Sequence, residues 1–298
     1  MKANNNNSTV VWRDMDQESL DAAYEQSNYA SNMLEVIDRY QSNSEKARHE
    51  TGEPKLFQYG EKDIEKLDVY TTSKSNAPIV IFIHGGAWRI GFAEDYAFPA
   101  PLFTKAGIHW IAMDFDSVLD VEGDLMVLAG QVRRSIAWVY NNAKKINGDK
   151  DNIYLCGHSS GAHLAAVCLT TDWQSGFNLP ADIIKGGLCC SGMYDLEPVR
   201  LSARSEYLNI TEETENKLSP QRHLDKLSAP VVISHGTNES PEFIRQSNEF
   251  AQAVEKINKT VDYVIGIGLN HFEILETLAE QSGLLAISLL KMIQKNSG

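Results

Sequence analysis

The sequence predicts an α/β protein with a mostly parallel central sheet and helices on both faces. Two observations favour this fold class. From about residue 56 onward, short β-rich runs alternate with helical segments, and amphipathic segments such as 125–145 separate the runs. From the third run onward the strands are continuous apolar stretches, as expected when helices cover both faces of a sheet. This alternation of strand and helix is the order that builds a parallel sheet.

Eight strands are predicted, in the order KLFQYG, KLDVYT, PIVIFIHG, IHWIAMDF, NIYLCGHS, IKGGLCCSG, APVVISHG and VDYVIGIG. A charged stretch at 197–228 lies between two of them and is too long for a simple connection. We expect it to form a helical excursion over the carboxyl edge of the sheet, where open α/β sheets bind their ligands. The sequence leaves open whether its charges face solvent or a substrate.

The N-terminal region differs from the rest of the chain. Residues 1–8 form an Asn-rich tail that we expect to be disordered, and residues 16–50 have the apolar spacing of a helix. We therefore predict a tail and helical extension over 1–55, which is a possible cap, and a single α/β domain over 56–298. No internal repeat or Pro/Gly/Ser-rich linker divides the second part.

The composition argues against several classes of protein. Of the 298 residues, 43% are hydrophobic, which is enough for a sizeable core and excludes a disordered or fibrous protein. The formal charge of -13 repels phosphate backbones and anionic membranes. Without a secretory pattern or an apolar span, the chain is predicted to be cytoplasmic and to bind neither nucleic acid nor membrane. Four cysteines without metal-finger or C-x-x-C spacing are predicted to be buried thiols: Cys156, Cys168, Cys189 and Cys190.

The strongest local motif is Gly157-His158-Ser159-Ser160-Gly161, which matches G-x-S-x-G between a predicted strand and a predicted helix. This is the context of the nucleophile elbow in the α/β-hydrolase fold, where a tight turn projects the serine hydroxyl above the sheet. The flanking glycines allow strand and helix to approach each other closely. Ser159 is therefore the predicted nucleophile.

A serine hydroxyl needs a base to remove its proton, and the base needs an acid to fix its tautomer. In hydrolases of this fold the order along the chain is serine, acid, histidine. Glu239 follows the strand APVVISHG, and His271 follows the strand VDYVIGIG. Both are thus expected at the sheet edge that carries Ser159, and we predict Glu239 as the acid and His271 as the base. Asp195, which follows the strand after the elbow, is the alternative acid.

The stretch HGGAW at 84–88 follows a buried strand with residues that favour neither strand nor helix. Attack on a carbonyl creates an oxyanion that needs two N–H donors, one from the residue after the nucleophile and one from such a loop. We predict Gly85, Gly86 and Ser160 as donors, and the amide of Ala87 is a further candidate.

Other residues near this edge have predicted supporting roles. Aromatic side chains are expected to line an acyl or leaving-group pocket, with core packing as the alternative: Trp88, Tyr96, Phe98 and Phe272. Three histidines are expected to be structural, His84 by holding its own loop, His163 by packing on the elbow helix, and His235 by fixing the loop of Glu239.

Together these motifs resemble those of kynurenine formamidases and closely similar α/β-hydrolase esterases. The resemblance covers about 56–295 and rests on H-G-G-x-W at 84–88, G-H-S-x-G-A-H at 157–163, SGMYDLEP at 191–198, ESPEFIRQS at 239–247 and NHFEI at 270–274. It implies hydrolysis of N-formyl-L-kynurenine to kynurenine and formate without a cofactor, together with cleavage of aryl esters. The sequence departs from the family pattern at Glu239, where an aspartate is more usual in the formamidases.

The sequence therefore predicts an α/β-hydrolase catalytic domain acting as a serine hydrolase on small, aromatic amides or esters through an acyl-enzyme. No metal or organic cofactor is implied, the partner is a small-molecule substrate, and a homodimer is left open. One alternative is a short-chain carboxylesterase of broad specificity. An alternative of another class is a ligand-binding homologue that has lost its chemistry.

Overall fold

The computed structural model describes residues 9–296, so the predicted tail at 1–8 lies outside the described residues. An eight-stranded sheet forms the centre. Its strands are β1 (Lys55–Gln58), β2 (Lys66–Tyr70), β3 (Ala77–Ile83), β4 (His109–Met113), β5 (Gly148–His158), β6 (Ile184–Cys190), β7 (Val231–Asn238) and β8 (Val261–Asn270). Each predicted run overlaps one of these strands, and the predicted α/β fold class is confirmed.

The sheet is mostly parallel, with the order β1-β2-β4-β3-β5-β6-β7-β8. All neighbouring pairs from β4 to β8 are parallel, whereas β2 is antiparallel to both of its neighbours. Because the carboxyl ends of parallel strands meet at one edge of a sheet, the residues that follow β3, β5, β7 and β8 are brought to the same edge.

Helices cover both faces of the sheet. They are α1 (Gln17–Ala23), α2 (Met33–Thr51), α3 (Ala100–Lys105), α4 (Leu125–Asn142), α5 (Ser160–Leu169), α6 (Trp173–Phe177), α7 (Glu197–Leu201), α8 (Glu212–Leu218), α9 (Pro241–Lys256), α10 (Glu273–Glu276) and α11 (Leu284–Asn296). Alternate side chains of β3 enter two apolar cores, one shared with α4, α5 and α9 and the other shared with α2, α3 and α11. A strand buried in this way has apolar residues on both faces, which explains its continuous apolar sequence.

The burial of β8 differs from the prediction. The run VDYVIGIG was expected to be covered on both faces, but β8 is the last strand of the sheet, and most of its residues are exposed or half-buried. Ile267 is 79% exposed, and Tyr263 and Ile265 are also exposed. The prediction of burial was wrong for this strand because an apolar run indicates a strand but not its position in the sheet.

The predicted helix at 16–50 is interrupted between α1 and α2. In the interruption, the carboxylate of Glu25 accepts hydrogen bonds from the amide and hydroxyl of Ser27, at 3.2 and 2.8 Å. The side chain of Asn28 donates to the carbonyl of Ala22 at 3.3 Å. Short polar side chains compete with helical backbone hydrogen bonds, so the predicted helical region consists of two helices, α1 and α2, with a short 3-10 turn between them.

Helix α2 contacts the segment that follows β8. Asn32 donates to Glu273 at 2.7 Å and accepts a hydrogen bond from Asn270 at 2.8 Å. The hydroxyl of Tyr40 donates to the carbonyl of Phe272 at 2.5 Å. The N-terminal helices are thus hydrogen-bonded to a loop at the carboxyl edge of the sheet.

The charged stretch at 197–228 is a helical excursion, as predicted. It contains α7, α8 and three short 3-10 turns. Within it, the carboxylate of Glu215 pairs with both Arg200 and Arg222 at 2.6 Å. Much of its charge is therefore neutralised internally.

The four cysteines are buried free thiols, as predicted. Burial raises the pKa of the Cys168 thiol to about 12, so this residue stays a neutral, apolar packing group.

Candidate active site

Ser159 lies in the turn between β5 and α5, with φ at 56° and ψ at -123°. This region of backbone conformation is strained for a serine and is typical of a nucleophile elbow. A Cβ atom at Gly157 would overlap the backbone of Gly161, and a Cβ atom at Gly161 would overlap the carbonyl oxygen of Ile83. Both glycines are therefore needed for the close contact of β5, α5 and β3 that forms this turn.

Glu239 and His271 follow β7 and β8 and are in direct contact. The Nδ1 atom of His271 donates to Oε2 of Glu239 at 2.7 Å, and both side chains are buried. The other carboxylate oxygen, Oε1, accepts hydrogen bonds from the hydroxyl of Ser191 and the amide of Gly236, each at 2.6 Å. The carboxylate thus holds the proton of His271 on Nδ1 and leaves Nε2 as the acceptor nitrogen.

The environment keeps Glu239 ionised. Burial by itself raises the pKa of this carboxyl group, but the charge and hydrogen bond of His271 and the donors from Ser191 and Gly236 outweigh burial and lower the pKa. A buried carboxylate with three donors is a stable partner for an imidazole that gains a proton.

His271 is also held through its backbone and its ring. The Nε2 atom of His158, the residue directly before Ser159, donates to the carbonyl of His271 at 2.8 Å. Burial lowers the pKa of His158 to about 3, so this ring stays neutral. The rings of Phe243 and Phe272 pack edge-on against His271, with centroids 5.1 Å away in each case. The elbow and the loop of His271 are therefore joined by a hydrogen bond one residue away from Ser159.

The HGGAW loop is fixed by its carbonyl groups. The carbonyl of Gly85 accepts a hydrogen bond from Nδ1 of His84 at 2.8 Å, and the carbonyl of Gly86 accepts from the amides of Arg89 and Ile90. In a trans peptide the N–H points away from the C=O. The amides of Gly86 and Ala87 consequently point away from these partners.

This loop lies against the elbow. A Cβ atom at Gly85 would lie 3.1 Å from the Cβ of Ser159, and the amide of Trp88 donates to the hydroxyl of Ser160 at 3.1 Å. Gly86 has φ at +107°, and Ala87 and Trp88 also have positive φ values. The positive φ of residue 86 favours glycine there, and the lack of a side chain at Gly85 allows the close contact with Ser159. Together these two needs explain the HGG sequence.

The two candidate acids occupy different environments. The side chain of Asp195 is 26% exposed and forms an ion pair with Arg222 at 3.2 Å. Glu239 instead accepts the hydrogen bond from His271. Ser159, Glu239 and His271 are each less than a tenth exposed. The contacts of His271 therefore favour Glu239 over Asp195.

The aromatic residues predicted to line a pocket have mainly core contacts. Trp88, Tyr96 and Phe98 are buried. Phe98 stacks on Tyr40 of α2 with centroids 5.3 Å apart, and Tyr96 packs on the ring of Phe82 at 5.2 Å. Only Phe272 is half-buried and touches His271. Tyr96 and Phe98 pack in the core because α2 covers this part of the sheet, a contact that local sequence does not indicate.

The three remaining histidines have structural contacts. His163 donates from Nε2 to the carbonyl of Leu218 at 2.8 Å, and its Nδ1 accepts from the indole of Trp88 at 3.3 Å. His84 holds the HGGAW loop, as described. His235 contacts the carbonyl of Gly236 at 2.8 Å, beside the amide that binds Glu239. Burial lowers the pKa of both His84 and His163 to about 4, so both are neutral near pH 7.

Several residues of this region were not predicted from sequence. Ser191, with φ at +55°, binds Glu239; its place in SGMYDLEP directly after a predicted strand was the available signal. Arg204 comes from the excursion and Tyr24 directly follows α1, and no local motif marks either residue. Over the described residues 9–296, no three His, Cys, Asp or Glu side chains are grouped so as to hold a metal ion. In that same part of the chain, no helix is both long and apolar enough to cross a bilayer.

The sequence of this chain is similar to those of known proteins. A family model described as BD-FAE matches residues 67–185. Kynurenine formamidase of Danio rerio is 36% identical over 298 residues, covering 96% of this chain and 99% of the relative. Kynurenine formamidase of Salmo salar is 34% identical over 301 residues, with the same two coverages.

A solved structure of a Silicibacter sp. TM1040 protein assigned as a thioesterase matches with a TM-score of 0.80. The identity is 23%, and the match covers 92% of this chain and 98% of that one. At this identity the likeness concerns the fold alone.

Proposed function

Because the chain belongs to the kynurenine formamidase family of α/β-hydrolases, and is a hydrolase of amide or ester bonds, we propose that it cleaves N-formyl-L-kynurenine to kynurenine and formate by a serine mechanism. The observation that carries this proposal is the buried Glu239–His271 pair at 2.7 Å, joined through His158 to the strained turn of Ser159. In this proposal the pair supplies the base and the orienting acid, and the turn supplies the nucleophile.

In the proposed reaction, Ser159 Oγ attacks the formyl carbon while Nε2 of His271 takes the hydroxyl proton. The carbonyl oxygen becomes an oxyanion. The imidazolium then gives its proton to the departing aryl nitrogen as the C–N bond breaks, which leaves a formyl ester on Ser159. Water attacks this ester, His271 takes the water proton and returns a proton to Ser159 Oγ, and formate is released.

The oxyanion is stabilised by backbone amides at the elbow and in the HGGAW loop. The amide of Ser160 lies at the start of α5, where helical N–H groups have no partner within the helix. Peptide geometry favours Gly86 and Ala87 as the loop donors, and Gly85 supplies the close approach to Ser159. These amides are fixed before substrate binds, as preorganised stabilisation requires.

Glu239 fits the role of the acid although aspartate is more usual there. Its Oε1 atom is anchored by Ser191 and Gly236, which leaves Oε2 for His271. The longer side chain is therefore held by two additional donors, and its extra rotatable bond does not loosen the contact with His271. Contacts that hold a buried carboxylate on a histidine in this way favour a catalytic role over a ligand-binding homologue without chemistry.

The test uses Ser159→Ala with Ser175→Ala, an exposed serine on α6, as the matched control. Ser159→Ala is expected to lower kcat by about 10⁴- to 10⁶-fold for N-formyl-L-kynurenine and for phenyl acetate, with an unchanged melting temperature. A fluorophosphonate should add to Ser159 in the wild-type enzyme and in the control, as read by peptide mass spectrometry.

Normal turnover by Ser159→Ala, or labelling at another residue, would contradict the serine mechanism. Brisk cleavage of phenyl acetate without release of formate from N-formyl-L-kynurenine would support the esterase alternative instead.

A further inference from the structure

Arg204 lies in a 3-10 turn, Ala203–Glu206, of the helical excursion. Its guanidinium carbon is 5.8 Å from the centroid of the Trp88 ring and 5.7 Å from that of the Tyr24 ring. It also donates from Nη2 to the carbonyl of Tyr24 at 2.8 Å. The side chain is therefore held between the HGGAW loop and helix α1.

The residues of these two rings have different neighbours in the candidate active site. The amide of Trp88 donates to the hydroxyl of Ser160, beside the proposed nucleophile. The ring of Tyr24 packs on Phe243 at 5.9 Å, and the ring of Phe243 packs on His271 at 5.1 Å. Arg204 thus contacts two aromatic residues, Trp88 next to Ser160 and Tyr24 next to Phe243, which packs on His271.

Arg204 differs from the other two arginines of the excursion, Arg200 and Arg222, because both of those pair with Glu215. Among residues 9–296, Arg204 donates to neutral acceptors, the carbonyl of Tyr24 and the hydroxyl of Tyr207 at 3.3 Å. Its Nε atom is buried and has no acceptor among the described residues. A buried donor on a cation without a counter-ion is unfavourable, and a guanidinium fork matches a carboxylate in two parallel hydrogen bonds.

A cavity of about 400 Å³ lies beside Arg204, which is one of its lining residues together with Tyr24, Arg89 and Tyr207. This volume is in the range of small-molecule sites. Three acidic residues also line it. Asp21 accepts from the amide of Ala203 at 2.6 Å, Glu25 accepts from Ser27, and Glu206 lies two positions after Arg204 in the chain. The cavity therefore has room for a small polar group beside Arg204.

We infer that Arg204 determines specificity by binding a carboxylate group of the substrate, so that the enzyme prefers aryl formamides with a free carboxylate to neutral ones. The inference rests on the proposed function, which places the formyl group at Ser159. A substrate bound there between the two walls would direct its distal carboxylate toward the Nε and Nη atoms of Arg204. The aromatic faces of Trp88 and Tyr24 keep the guanidinium in place in the free enzyme.

The experiment compares two substrates with the same reacting group. N-formyl-L-kynurenine carries a carboxylate, and N-(2-acetylphenyl)formamide has the same formamide and aryl ketone without it. Arg204→Met is expected to lower kcat/KM for N-formyl-L-kynurenine by about 10- to 100-fold, mainly through KM, because a hydrogen bond to a charged group is lost. The value for the neutral substrate should stay within about threefold. Arg204→Lys, which keeps the charge but not the fork, should give an intermediate loss.

The matched control is Arg89→Met, which removes an exposed cation from the same cavity. Arg89 packs over the Tyr207 ring, with its guanidinium carbon 4.2 Å from the centroid. A change in the preference for the carboxylate substrate with Arg204→Met but not with Arg89→Met would support direct binding. An equal change in both variants would indicate general attraction by positive charge, and equal losses for both substrates with Arg204→Met would indicate a structural role. Either result would overturn the inference.

A binding measurement separates this inference from the proposed function. If the wild-type enzyme cleaves neither formamide, the proposed function is contradicted, but Arg204 can still be tested through the dissociation constant of kynurenine. In a Ser159→Ala background, addition of Arg204→Met should weaken binding of kynurenine by about tenfold or more. Unchanged binding would refute the role of Arg204.

Discussion

Replacement of Glu239 by glutamine tests the contact at the centre of the candidate active site. The amide of Gly236 and the hydroxyl of Ser191 both donate to Oε1 of the carboxylate, and His271 donates to Oε2. A glutamine must place its oxygen where the Gly236 amide donates, because a backbone N–H cannot act as an acceptor. Its NH₂ group then faces Nδ1 of His271, which has to become the acceptor. The proton of His271 moves to Nε2, and the nitrogen that should take the proton of Ser159 is blocked.

The size of the effect follows from the cost of restoring the reactive tautomer. Rotation of the glutamine side-chain amide by about 180° restores the acceptor for His271. It leaves two buried donors without acceptors, the Gly236 N–H and the glutamine NH₂ that faces it. At about 1–3 kcal/mol for each unpaired donor, the cost is about 2–6 kcal/mol, or about 30- to 10⁴-fold in rate. A neutral amide also stabilises an imidazolium less well than a carboxylate does. We therefore expect the loss in kcat to lie near the upper end of this range.

The assay measures kcat/KM for N-formyl-L-kynurenine and phenyl acetate, together with the rate of labelling by a fluorophosphonate, which depends on the same base. Asp195→Asn is the matched control, because its carboxylate pairs with Arg222 and not with His271. Cooperative thermal unfolding of both variants shows that the fold is retained. If Glu239→Gln keeps wild-type rates while Asp195→Asn is inactive, the assignment of the acid is wrong.

Two further predictions concern the fold around the site. Gly161→Ala should lower the free energy of unfolding by about 1–3 kcal/mol or more in urea titrations, because its Cβ would overlap the carbonyl oxygen of Ile83. Gly176→Ala is the control and should not lower it, because its Cβ would meet nothing within 4 Å. Burial raises the pKa of Asp114 from 3.8 to about 6, against the hydrogen bond from Ala93. The folded state therefore binds this proton more tightly than the unfolded state, and the stability it contributes is present below pH 4 and lost as the pH rises through 6. Unfolding titrations from pH 4 to 7 should show that Asp114→Asn removes this part of the pH dependence, and an unchanged slope would contradict the reasoning.

The parts of the structure that sequence predicted well are those with local causes. Each strand was visible as an apolar or alternating run, and the elbow was visible because its glycines are required within five consecutive residues. Glu239 and His271 were predicted to lie near each other because the carboxyl ends of neighbouring parallel strands meet at one edge. The structure brings these two residues into hydrogen-bond contact.

The parts that sequence did not predict depend on contacts between distant segments. The exposure of β8 follows from its place at the sheet edge, which the apolar run does not specify. For Tyr96 and Phe98 the sequence left a pocket and core packing open, and it did not indicate that α2 covers them with Tyr40. No local motif marks Arg204, because its contacts form only where the end of α1, the HGGAW loop and the excursion meet.

The hydrogen bonds between Asn32 and the end of β8 and the segment that follows it also affect the order in which the parts of the molecule can fold. Asn32 and Glu273 are separated by 241 positions in the chain, so this contact closes one of the longest loops that the chain allows. Contacts of such high sequence separation form late, because the entropy of loop closure must be overcome first. During synthesis, the first helices leave the ribosome long before the histidine loop they hold, and their polar surface has to remain unpaired until the last strand is made. Assembly of the candidate active site is therefore expected to be among the final events of folding, and a chain stopped before β8 would have the turn of Ser159 without His271, the proposed base.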